Sequence, residues 1–102
     1  MIIFLSLKKG NKFNKINNRN LIGTFKQQPF LIKSFQINKR LECISYCSTI
    51  TECSITIADQ SNCEIFNNET KINDANTVYS PTATIFVKNQ IMVNYLINFY
   101  HL

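Results

Sequence analysis

The sequence predicts an α+β protein: a small disulfide-stabilised domain with one short helix packed on an antiparallel β-sheet. Three observations predict it. The chain has 102 residues, one domain's worth of length. Its four cysteines all fall between positions 43 and 63. The apolar spacing is helical over residues 38–49 and alternates over 53–58 and 83–88, a change of period that separates helix from strand.

Taken in order, the chain opens on Met1-Ile2-Ile3-Phe4-Leu5-Ser6-Leu7, an apolar run without a basic leading region or a small-x-small cleavage site. It is a poor or truncated signal region. Residues 8–20, KKGNKFNKINNRN, hold only Phe13 and Ile16 as apolar side chains, too few to offset the entropy of ordering. Residues 1–20 are therefore expected to be a flexible basic arm, with the folded domain over 21–88. Residues 30–37 are rich in β-branched and aromatic side chains after Pro29 and read as strand, with a second short strand open over 21–29. In residues 38–49, Leu41, Ile44 and Cys47 repeat every three positions, Cys43 and Cys47 lie four apart, and Glu42 sits in the first turn with Asn38 as the expected N-cap. Such a short helix needs tertiary support. CSITIA at 53–58 and CEIF at 63–66 flank the turn-forming Asp59-Gln60-Ser61-Asn62 and read as a β-hairpin. Residues 67–82 are polar and read as loop, ATIFVK at 83–88 is a strand, and residues 89–102 are an apolar C-terminal tail. Within it Ile91 to Tyr100, ten residues broken by two Asn, is too short to span a bilayer, which takes about 20 residues.

Charge is uneven. Residues 1–40 carry nine basic residues and no acid; residues 41–102 carry two lysines against six acids, giving +9 and −4, which sum to the net +5. A basic front favours anionic partners. Ile, Asn, Lys and Phe share AT-rich codons, so single Asn and Lys residues carry little weight. The basic positions nearest the folded part, Lys26, Lys33, Lys39 and Arg40, are the candidate anion-binding residues.

The cysteine spacing is C-x3-C-x5-C-x9-C, at Cys43, Cys47, Cys53 and Cys63. Four cysteines allow three pairings. Cys43 and Cys47 share a helical face with near-parallel Cβ vectors, a poor arrangement for a bond to each other. Each must reach the hairpin. Nested bridges, Cys43–Cys63 and Cys47–Cys53, keep both reaches short; the crossed alternative makes the bridges pass one another. Zinc is disfavoured because no tight C-x2-C knuckle occurs and the one histidine, His101, is terminal. C-x-x-C redox spacing is absent.

A helix carrying C-x3-C, then a cysteine opening a strand, then a second strand starting at a cysteine resembles the PAN/apple domain. The match reads LECISYCSTITECSITIADQSNCEIFNN with the closing strand TATIFVK, and covers roughly residues 22–88. The resemblance implies one helix cradled on an antiparallel sheet, nested helix-to-hairpin disulfides and no cofactor. The third, terminus-joining bridge of many such domains has no cysteines here, which makes this the minimal four-cysteine form. The family's members are extracellular modules that bind proteins or carbohydrates without catalysis, and none of their binding residues transfers to this chain.

The residues themselves offer no enzyme. One terminal histidine leaves no Ser-His-Asp or Cys-His set, the carboxylates show no acid/base spacing, and no Gly-rich loop is present to hold phosphate. Nucleic acid is not an expected partner, because no recognition fold is visible and disulfides belong to oxidising compartments. The expected setting is extracellular or secreted, where Asn68-Glu69-Thr70 is an N-glycosylation sequon. The expected partner is an extracellular protein or glycan, a polyanionic glycan among them. The rival reading is a small basic disulfide-stabilised peptide that acts on membranes through its arm and tail.

Overall fold

The computed structural model describes residues 13–88 of the chain. In order these are β1 (Phe13–Leu21), a 3-10 turn (Gly23–Phe25), β2 (Leu31–Gln36), the helix α1 (Arg40–Thr49), β3 (Ile55–Asp59), β4 (Asn62–Phe66) and β5 (Thr77–Lys88). The strands form one sheet in the order β1-β5-β3-β4-β2, and every neighbouring pair is antiparallel. It is an α+β, disulfide-stabilised arrangement with one helix on a five-stranded antiparallel sheet.

Alternation assigns the faces. Cys63 and Ile65 of β4, Ala58 of β3 and Phe86 of β5 point toward α1, where they pack with Ile37, Cys43, Cys47 and Cys53. Ile55, Ile57, Phe66, Ala83 and Ile85 point the other way, into a second cluster closed by Leu21 and by the part-buried Phe25, Phe30, Leu31 and Ile72. The sheet is thus covered on both faces. Central strand β3 is buried at four consecutive positions, Ile55 to Ala58.

The β3–β4 hairpin turns through Gln60 and Ser61, with Asp59 paired to Asn62 and Gln60 at φ 55°. That left-handed φ is unusual for a residue with a Cβ; the tight antiparallel register imposes it.

Residues 13–20 are not a flexible arm. They form most of β1, paired with β5 from Phe13↔Lys88 to Leu21↔Thr77. Backbone pairing supplies what side-chain burial alone would not. Only Leu21 is fully buried, Phe13 and Ile16 pack in part, and Arg19 Nη2 donates to Thr77 Oγ1 at 2.9 Å and to its carbonyl oxygen at 3.3 Å. The expectations for residues 1–12 and for the tail 89–102 lie outside the described residues.

The polar stretch 67–82 is also shorter as a loop than its composition suggests, because β5 begins at Thr77. Register with β1 shifts between Asn17↔Thr84 and Arg19↔Tyr79. Residues 80–82 bulge out there, around Pro81, which has no N–H to give the ladder, while Ala83 has no β1 partner but stays paired with Asp59 of β3. The loop before β5 is held by asparagines. Asn73 Oδ1 accepts from the N–H of Ala75 (2.8 Å) and Asn76 (3.0 Å), and buried Asn76 Oδ1 accepts from the N–H of Asn73 at 2.9 Å.

Candidate functional site

A groove lined by aromatic and polar side chains lies where β2 ends and α1 begins, and the two disulfides hold the helix of that junction against the sheet. Cys43 is bonded to Cys63 (Cα–Cα 5.6 Å) and Cys47 to Cys53 (Cα–Cα 5.4 Å), the nested arrangement. All four cysteines are fully buried. The first bridge ties the first turns of α1 to β4; the second ties the last turn to the segment entering β3. Thr56 fills the space beneath the first bridge, with Oγ1 donating to the Glu64 carbonyl oxygen at 2.9 Å and lying 2.7 Å from Cys43 Sγ. No cysteine among the described residues is left as a thiolate ligand, and no group of three His, Cys, Asp or Glu side chains there is placed to hold a metal ion.

The start of α1 is built by Glu42 rather than by Asn38. Lys39 is the N-cap residue, and its ammonium cannot accept a hydrogen bond. Glu42 Oε1 reaches back instead and accepts from the N–H of Asn38 at 2.7 Å and of Lys39 at 3.2 Å, which is half of a capping box. These bonds, the one from Asn38 foremost, hold the Glu42 carboxyl below the usual carboxylate range. At the other end Lys88 closes the helix. Its Nζ donates to the carbonyl oxygens of Cys47 (3.1 Å) and Ile50 (3.2 Å), while the residue is only 8% exposed. Burial pushes the Lys88 pKa below its ordinary value.

Between β2 and α1 runs an open groove of about 670 Å³, lined by Phe35, Gln36, Asn38, Glu42, Tyr46 and Ser61 along with Ile37. A shallower hollow of about 420 Å³ adjoins it over the outer face of α1, sharing Glu42 and Tyr46 and adding Lys39 and the exposed Leu41. Phe35 and Tyr46 form a tilted aromatic pair with ring centroids 4.7 Å apart. Lys33 lies against both rings, its Nζ 5.1 Å from the Tyr46 centroid and 5.7 Å from that of Phe35, and donates to the Tyr46 hydroxyl at 3.1 Å.

The four candidate basic residues do not gather in one cluster. Lys33 and Lys39 both border the Tyr46 surface. Arg40 reaches the other flank of the helix, where Nη2 donates to the Thr82 carbonyl oxygen at 3.4 Å in the β5 bulge. Lys26 lies elsewhere, paired at 2.8 Å with Glu64, whose side chain alternates away from α1. Asn68 is exposed in the turn after β4, and Thr70 of the same sequon is buried with its hydroxyl on Asn67 Oδ1 at 3.3 Å.

Sequence reasoning missed the aromatic pair, although Lys33 and Phe35 alternate onto one strand face and Tyr46 stands one helical turn after Glu42. Lys88 carried no signal as a helix cap, because its contacts are about 40 residues distant (41 and 38 positions).

No protein-family model matches the chain, and no curated protein matches it. Among the described residues no helix is long and apolar enough to cross a membrane. The two disulfides fit an oxidising environment.

Proposed function

We propose that this protein is an extracellular, non-catalytic binding module of the PAN/apple type that recognises a protein or a glycan. The observation that carries the reading is the pair of nested bridges that tie one helix to β4 and to the segment entering β3. They fix a recognition surface without a large core, which is how small secreted domains are stabilised. Secretion would also bring Asn68 to the glycosylation machinery, and its exposed side chain leaves room for an attached glycan.

A polyanionic glycan is the first ligand to test. Lys33, Lys39 and Arg40 are exposed and lie on or beside α1. Retention of the full chain on a heparin column should fall with salt, since exposed charges are screened within about 8–10 Å at physiological ionic strength. Changing these three residues to Ala should lower the eluting salt concentration. Equal retention of both forms would rule out this patch, and no retention of either would turn the search to a protein ligand.

A further inference from the structure

We infer that the groove between the end of β2 and the start of α1 is a seat for one neutral sugar ring, with Tyr46 and Phe35 as its apolar wall and Gln36, Asn38, Ser61 and Glu42 as its polar wall. This deepens the binding-module reading and rests on it.

The chemistry follows from what the groove offers. At about 670 Å³ it falls within the size range of small-molecule sites. The side chains of Gln36, Asn38 and Ser61 line it and make no hydrogen bond among the described residues, so two amides and a hydroxyl are available on one surface. Amides and hydroxyls both donate and accept, as sugar hydroxyls do. Glu42 Oε1 is committed to the backbone N–H groups of Asn38 and Lys39, which fixes the carboxylate and leaves Oε2 as a positioned acceptor. The tilted aromatic pair supplies two separate ring faces, either of which can pack against the C–H side of a sugar, and the bond from Lys33 to the Tyr46 hydroxyl limits how far the Tyr46 ring can turn.

Charge selects among ligands. Lys33 and Lys39 border the site and disfavour a cationic ligand, while Glu42 lies inside it and opposes an acid placed there. A neutral polyhydroxylated ring satisfies both. The groove therefore differs in kind from the lysine surface beside it, since its contacts are hydrogen bonds and stacking and survive salt.

The test uses the full chain and immobilised neutral oligosaccharides of hexose and N-acetylhexosamine, with heparin alongside, in low salt and in about 1 M salt, where screening lengths shrink to about 3 Å. The expected result is binding to at least one neutral oligosaccharide that persists at high salt. It should weaken at least fivefold in Gln36→Ala and in Asn38→Ala and stay unchanged in Lys71→Ala, an exposed position in the loop before β5 and away from the groove. Gln36 and Asn38 are exposed, so an unchanged thermal transition verifies that each variant is folded. Heparin retention at low salt with no neutral oligosaccharide bound overturns the groove assignment and leaves the binding-module reading standing. Neutral-sugar binding that ignores both substitutions overturns the groove as its location. No retention on either matrix overturns the groove assignment together with the glycan half of the module reading.

Discussion

Replacing Cys43 and Cys63 together with Ala should cost more stability than replacing Cys47 and Cys53, and the difference can be worked from the loops. The first bridge spans a sequence separation of 20 and the second of 6. Loop-closure entropy then gives about 3.3 kcal/mol for the first and about 2.2 kcal/mol for the second at room temperature. A further loss accompanies the first pair. Thr56 Oγ1 packs against Cys43 Sγ in a fully buried site, and two Ala side chains would leave space beside that hydroxyl. A total of about 4 kcal/mol is a large share of the 5–15 kcal/mol that holds a typical domain together. The assay is equilibrium urea unfolding of the unreduced protein and of each double variant. With a slope of about 1 kcal/mol per molar, Cys43→Ala/Cys63→Ala should shift the midpoint by about 3–4 M or leave no folded baseline, and Cys47→Ala/Cys53→Ala by about 2 M. Equal shifts, or a larger one for the short loop, would refute the argument that loop length and the Thr56 packing set the order.

Four further outcomes are expected. The depressed carboxyl of Glu42 contributes stability that is present above the ordinary carboxylate value of 4.5 and is lost as pH falls through its lower folded value. Thermal melts of Glu42→Gln between pH 2 and pH 6, on the order of the carboxylate range, should lack that part of the acid limb. Lys88 has the opposite dependence: its depressed pKa means that the unfolded chain binds the extra proton, so stability rises as pH approaches 10.5, and Lys88→Met should flatten the rise in alkaline denaturation curves. Deleting residues 1–20 removes β1 apart from its last residue, leaves the β5 edge unpaired and should cost more than about 2 kcal/mol by chemical denaturation. Secretory expression should yield a glycosidase-sensitive mobility shift that Asn68→Gln abolishes; an unshifted wild-type band would show the sequon unused.

How much could be read beforehand depended on whether a segment's apolar period survived its surroundings. The β3–β4 hairpin was legible because Ile55 and Ile57 alternate and a turn-forming run separates them from Cys63. The helix was legible because Cys43 and Cys47 lie four apart. β1 was not, since Phe13, Ile16 and Leu21 keep neither period, and the bulge at Asn18 (φ 60°) resets the register between the last two. The first half of β5 was hidden by Pro81, which marks a bulge inside the strand rather than the end of a loop. Asparagines discounted as codon bias turned out to hold the loop before β5, because an Asn side chain mimics backbone and any one of several could have done so. The groove was illegible for a different reason. Its walls come from β2, from the turn at Ser61 and from α1, which only the sheet order brings together.

The pairing of Phe13 with Lys88 places the two ends of the described fold on neighbouring strands, about 5 Å apart. Lys88 is also the residue that grips the last turn of α1, so this shared corner sits beneath the end of the helix opposite Glu42. A ten-residue helix is about 15 Å long. Anything tethered to either end of the fold is therefore handed off at one point, roughly a helix length from the groove. Such a geometry suits a pendant: the polypeptide can be hung from a stalk, or spliced into a surface loop of a host, with its groove facing outward and no obligation to run through the middle of an assembly. The same closeness makes residues 13 and 88 a natural place to join the ends and open the chain elsewhere, for instance in the turn around Asn68.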